Sequence, residues 1–248
     1  MINTEKPISA VKYNGQELLM AGTTITDGIV VTARNADGFP TAATVYGEIY
    51  PFQFSYSGTY YHDTIGWRNL SKLTLTGQTV LAENCFAYLP LVEVVGFENV
   101  LEVESGVFGS SVFETVDFLP NAETFGQNVF SGSTKLKAVS LPSAKTIAGA
   151  QYYSMFRKCT ALENVTLGKI GSSVDAIVNP FGECPQNGLT IVIYVKGSLV
   201  DKSLAQIRNG ATNATIIIKA AEATTYNGTE FAAGDTIITS TVETEETS

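Results

Sequence analysis

Histidine and tryptophan each occur once in the 248 residues, cysteine three times, and Lys plus Arg only 15 times against 24 Asp plus Glu. Each shortage closes a route. With His62 the only histidine, a Ser-His-Asp triad or a histidine metal site has to be built on it. In the stretch YYHDTIGW the adjacent Asp63 points to the opposite face of an extended segment, and no serine is tied to the pair. Cys85, Cys159 and Cys184 are too few and of the wrong parity for a disulfide framework, and no C-x-x-C pair implies zinc or redox work, so buried, unbridged thiols are expected. A net charge of -9 leaves no cationic field for a phosphate backbone or an anionic membrane, which argues against a nucleic-acid partner. No apolar run approaches the roughly eighteen residues of a membrane span, and the opening MINTEKPISAVKYNGQELL lacks a basic region followed by an apolar one, so neither membrane insertion nor a cleaved export signal is expected.

Motifs that hold cofactors are missing as well. There is no G-x-x-x-x-G-K-[ST], no G-x-G-x-x-G after a strand, no G-x-S-x-G and no H-E-x-x-H, so no cofactor and no catalytic residue is assigned. The carboxylate pair Glu102 and Glu104 has the residue types of a glycosidase but reads as a solvated face, with no evident cleft to shift either group. A non-enzymatic protein is expected.

What the chain does have is a period. LSKLTL from Leu70, LVEVVGF from Leu91, VFETVDF from Val112, LKAVSL from Leu136, LENVTL from Leu162 and LTIVI from Leu189 are six versions of one short strand. After each of the first five comes a phenylalanine among small polar residues: Phe86, Phe108, Phe130, Phe156 and Phe181. The spacings of 22, 22, 26 and 25 residues fall in the range of leucine-rich repeats. One short strand plus a return segment cannot bury its apolar face alone, so such units have to stack. Pairs such as Val100 with Val103, Ala122 with Phe125 and Ala144 with Ile147 supply a second apolar row.

The stretches FRKCTALENVTL (156–167), FSGSTKLKAVSLPSAKTI (130–147) and FGECPQNGLTIVI (181–193) resemble the BspA-like subfamily of leucine-rich repeats. The resemblance covers about residues 69–196 and implies a mainly β leucine-rich-repeat solenoid of about six rungs. In that pattern Cys159 and Cys184 occupy the small-residue position three places after the Phe, in adjacent rungs. Two thiols and a disulfide are then the alternatives. The extra residue in LVEVVGF and the longer returns at 148–155 and 171–180 depart from the pattern and mark rungs that bulge or carry a loop. Beyond the rungs, Ser198 is placed as the cap of a short helix running to Ile207 and ended by Asn209-Gly210, a lid for the last rung.

Small β segments flank the array. Residues 1–68 read as an N-terminal β domain for attachment or oligomerisation, 69–196 as the repeats, 197–219 as a helix and strand cap, and 220–248 as a hairpin-like segment with an acidic tail. Tyr226-Asn227-Gly228, Glu230, Gly234 and Ile237 echo the order of Tyr13-Asn14-Gly15, Glu17, Gly22 and Ile25. Aromatics concentrate between 46 and 67, where Tyr46, Tyr50, Tyr56, Tyr60, Tyr61 and Trp67 form the candidate binding surface; the competing role for them is as core of the N-terminal segment. The strand positions that alternate with the buried ones hold Thr74, Val95, Asp117, Ser140, Thr166 and Val192, a flat strip without aromatic or Arg anchors.

Repeats of this kind joined to such an N-terminal β segment resemble accessory structural proteins of phages and prophages of gut bacteria. That resemblance implies a virion component released by lysis, a tail or head fibre or decoration protein. Its partners would be other virion proteins, a second copy of itself and a host-surface glycan or protein. A bacterial cell-surface BspA-like adhesin is the alternative.

Overall fold

The computed structural model describes residues 12–13, 16–17, 28–51, 54, 67–149, 152–168, 178–182, 184, 188–209, 211 and 213–241. It is mainly β, with one α-helix among the described residues. The chain enters through a two-residue hairpin, β1 (Lys12–Tyr13) and β2 (Gln16–Glu17), and then an antiparallel pair, β3 (Gly28–Arg34) and β4 (Pro40–Tyr46).

From there short strands fall alternately into two ladders. One holds β5 (Lys72–Leu75), β7 (Glu93–Val95), β9 (Thr115–Val116), β11 (Ala138–Leu141), β13 (Asn164–Leu167) and β14 (Thr190–Val195). The other holds β6 (Val80–Leu81), β8 (Glu102–Val103), β10 (Thr124–Phe125) and β12 (Thr146–Ile147). Helix α1 (Val200–Arg208) and β15 (Thr215–Ala220) follow, then the hairpin of β16 (Thr224–Tyr226) and β17 (Thr229–Phe231), and finally β18 (Thr236–Thr241).

Every pairing between repeats is parallel, in the order β6-β8-β10-β12 for the second ladder and β9-β11-β13-β14-β15 for the longer run of the first. Parallel neighbours need a long return between them, which the repeat period supplies. Alternation does the rest: β14 reads intermediate, buried, intermediate, buried, so Ile191, Ile193 and Val195 go inward while Thr190, Val192 and Tyr194 do not. The expected rungs are therefore present as strands, each hydrogen-bonded to an adjacent one.

Between the ladders and their returns lies a column of phenylalanines. Phe86, Phe108, Phe130, Phe156 and Phe181 are all buried, with successive ring centroids 6.0, 5.6, 5.8 and 5.2 Å apart. From Phe108 to Phe181 the rings stack with interplanar angles of 7°, 6° and 19°. Such contacts add about 0.5–1.5 kcal/mol to what burial alone contributes.

The backbone around these rings is bent in a regular way. Two residues before the Phe, Asn84, Gly106, Asn128 and Asn179 have positive φ; two residues after it, Tyr88, Ser110, Gly132 and Lys158 do. A left-handed residue on each side turns the chain sharply inward, pushes the ring into the core and turns it out again. Asn tolerates that conformation best among non-glycine residues; Tyr88 adopts it with its N–H donating to Gly109 O at 2.8 Å.

The array reaches past its sequence signature at the N-terminal side. Strand β4 pairs in parallel with β5, Ala43 opposite Leu73 and Val45 opposite Leu75, as one repeat pairs with the next. Phe54 is buried 5.5 Å from Phe86, and its N–H donates to Cys85 O; Phe108, Phe130 and Phe156 donate to Val129, Met155 and Pro180 in the same manner. Residues 40–54 thus supply a rung with its own Phe.

At the other end α1 differs from the expected helix in its start. Its N-cap is Leu199, without a side-chain cap bond, because a 3₁₀ turn over Gly197–Leu199 leads into it. Gly197 N–H is taken instead by Thr224 Oγ1 at 3.1 Å, and a Cβ at 197 would meet Thr225 O at 2.5 Å. Ser198 therefore does not cap the helix.

Candidate functional site: the first ladder's outer face and the aromatic segment

Most of the strip anticipated from the sequence exists in register, but Asp117 falls just past the end of β9 and outside its pairing with β11. Thr74 stands opposite Val95, Ser140 opposite Thr166, and Thr166 opposite Val192; β15 and β18 continue it with Ile217 and Thr239. Beside it runs a second row, Ala138, Asn164, Thr190, Thr215 and Thr241. Neighbouring strands lie about 4.8 Å apart, so the outer face is a flat lattice of small β-branched and polar groups. The strip is interrupted between β7 and β9, where no pairing joins the two strands. That break falls at the unit with the extra residue. Gly96, at φ 82°, ends β7, and Phe97 reaches the core from a 3₁₀ turn instead of from a strand.

Charges decorate the edges of the face. Lys72 bonds Glu93 across β5 and β7, Lys137 Nζ lies 2.8 Å from Glu114, and on the second ladder Lys145 Nζ lies 2.6 Å from Glu123. The hydrogen bond and charge of Lys137 hold the Glu114 carboxyl below its ordinary range, and Glu114 in turn raises Lys137. Both are fully exposed, so water screens the pair.

The aromatic segment divides. Tyr46 ends β4 half-buried, Tyr50 is 55% exposed, and Trp67 is half-buried with its ring edge-on to Phe54 at 4.9 Å. Tyr56, Tyr60 and Tyr61 lie outside the described residues, as do His62 and Asp63. The sequence did not single out Tyr88, Val92, Leu101, Tyr152 and Tyr153, each about half or more exposed. Tyr88 had a readable signal, its place two residues after a repeat Phe, where the turn throws the side chain outward. Gly47, Glu48, Ile49, Gln78, Val80 and Glu104 are among the residues around an open groove of about 600 Å³.

The cysteines are structural. None is in a disulfide, and all three are buried. Cys159 Sγ donates to Phe130 O at 3.1 Å and Cys184 Sγ to Cys159 O at 3.5 Å, just as Ser133 Oγ donates to Phe108 O at 3.2 Å. A small side chain three residues after the Phe therefore bonds back to the preceding repeat. Burial first, then the neighbouring Cys184, pushes the Cys159 thiol far up, and burial does the same to Cys85. Neither is a nucleophile at neutral pH. Among the described residues no group of three or more His, Cys, Asp or Glu side chains is placed to hold a metal ion, and no helix is long and apolar enough to cross a membrane.

Parallel strands of about two to six residues, returns of some twenty and a phenylalanine column define a leucine-rich-repeat protein. A family model for the BspA type leucine rich repeat region matches residues 66–185 in six copies, so this part of the chain is a BspA-like leucine-rich-repeat region. No curated protein and no solved structure matches it. A leucine-rich-repeat region points to protein binding or adhesion.

Proposed function

We propose that the protein is a non-enzymatic adhesion component of a phage or prophage particle, a tail or head fibre or decoration protein. Its repeats would form one continuous solenoid, displayed outward. The observation that carries the reading of a displayed scaffold is the first ladder, held in register from Ser140 through Thr166, Val192 and Ile217 to Thr239. The particle reading is supported by the likeness of this combination, a β segment joined to BspA-type repeats, to accessory structural proteins of gut phages. Attachment to other virion proteins falls to the N-terminal segment, and a host-surface glycan or protein is the ligand of the exposed aromatics and loops.

Peptide mass spectrometry across purified particles, cell envelope and cytosol of the source culture after induced lysis tests this. Enrichment in particles at a fixed ratio to the major capsid protein is expected. Enrichment in the envelope alone would replace the particle with the second reading, a bacterial surface adhesin, which the match to BspA type repeats also supports.

A further inference from the structure

We propose that the protein self-associates through β18, two copies pairing this strand antiparallel about a twofold axis so that their sheets run on as one. This stands on the strand edge alone and does not depend on whether the protein belongs to a particle or a cell surface.

Strand β18 is the last of its sheet, antiparallel to β15, and among the described residues nothing pairs with its outer edge. A bare edge is a template for another strand, which natural proteins blunt with Lys, Pro, bulges or inward charges. Thr236–Thr241 reads TIITST, without charge or proline and with five of six residues β-branched. One register shift lies at Ile218/Lys219; from there Ile238 to Thr241 run unbroken against Ile218 to Thr215. The far end of the array, in a separate sheet because nothing pairs β7 with β9, is treated differently. Strand β3 carries two register shifts and ends at Arg34, whose guanidinium donates to Gly38 O at 2.7 Å. A head-to-tail contact of β18 on β3 would meet that broken edge, which leaves a second β18 as the better fit.

Charge selects the same occupant. At a net charge of -9, two copies repel wherever their carboxylates meet, and β18 is a stretch free of them. After Thr241 the chain continues Val242-Glu243-Thr244-Glu245-Glu246. A twofold axis through the joint makes the pairing antiparallel, and it sets the start of each strand, where Thr236 lies opposite Lys219, at the Thr241 end of its partner. Two-strand isologous joints are also closed, so association stops at the dimer.

Light scattering and sedimentation of the full chain over a concentration series, with Thr239→Pro and Ser240→Pro beside it, test the proposal. Successive N–H groups of an edge strand point alternately to the ladder and outward, so one of these prolines breaks the bond to β15 and the other removes an outward donor; Ser240→Pro also loses the hydroxyl that accepts from Arg208, for which Ser240→Ala is the control. The proline at the outward position is recognised by its unchanged melting temperature. The expected result is a dimer whose dissociation constant rises about tenfold or more in that variant. A monomer throughout up to the millimolar range, an open-ended assembly, or a dimer that the stable proline variant leaves intact would each overturn it.

Discussion

Phe130 and Phe156 are 26 residues apart in the chain and stack in the core with ring centroids 5.8 Å apart and planes 6° from parallel. Each ring also meets a further one on its other side, Phe108 and Phe181 respectively. Replacing Phe130 by Ala leaves a cavity between Phe108 and Phe156, with an expected cost of about 3–5 kcal/mol in equilibrium urea unfolding. Phe130→Leu should lose markedly less.

Phe54 makes the same kind of contact at the start of the column, outside the region matched as repeats. Phe54→Ala should lower stability by about 3 kcal/mol, whereas Tyr50→Ala, at an exposed side chain, should change it by less than about 0.5 kcal/mol. Trp67, the only tryptophan, packs on Phe54, so the same substitution should shift its fluorescence emission to the red in the folded protein. An unchanged spectrum would contradict that packing.

Gly96 combines two demands. Its φ is 82°, and a Cβ there would lie 2.2 Å from Leu75 O in the neighbouring repeat. Gly96→Ala is expected to destabilise by more than about 1 kcal/mol, since both the left-handed conformation and the close approach oppose it. Gly77→Ala is the control, with positive φ but no atom within 4 Å, and should cost less.

The pair of Glu114 and Lys137 sets a pH signature. Glu114 is lowered in the folded state, so its stabilising contribution is present above the ordinary carboxylate pKa of about 4.3 and is lost as pH falls through the lower folded value. Lys137 is raised, so its contribution is present below its ordinary value of about 10.4 and is lost as pH rises through the higher folded one. Carboxyl NMR should show Glu114 titrating below ordinary glutamates. Lys137→Met should return it toward them, and added salt should do the same in part.

Thiol titration addresses the cysteine column. Buried thiols with raised pKa should be unreactive toward a disulfide reagent in the native state, and all three should react once the chain is unfolded. Cys159→Ser should be well tolerated, because Ser133 already fills the equivalent place in the preceding repeat with the same kind of bond.

The repeat strands and the five spaced phenylalanines were legible because a stacked unit repeats its packing, and packing writes apolar residues at fixed intervals. Residues 40–54 were not, since Phe54 and Phe86 are 32 residues apart and PTAATVY lacks the leucine pattern of the later strands. Its Ala43 and Val45 nonetheless fill the same inward positions. Asn84, Asn128 and Asn179, each two residues before a Phe, are of a type suited to left-handed turns, a signal that the repeat pattern alone did not bring out; Tyr88 and Lys158 are not of that type. The echo of Tyr13-Asn14-Gly15 in Tyr226-Asn227-Gly228 has a counterpart in the pairing, Tyr13 opposite Gln16 and Tyr226 opposite Thr229. The outer face of the first ladder could be read by alternation alone, but the break between β7 and β9 and the new members Ile217 and Thr239 depend on pairings that no local pattern records.

Because Phe108, Phe130 and Phe156 each donate to the residue just before the next Phe, one unit presents to its successor the same groups that its predecessor presented to it. Removing one whole 22-residue period, from after Phe108 to Phe130, or inserting a copy of it, brings together ends that are already complementary. A gene for such a chain can therefore lengthen or shorten its product by slipping one repeat during recombination, and the length of the ladders becomes a heritable variable that changes without redesign of the core.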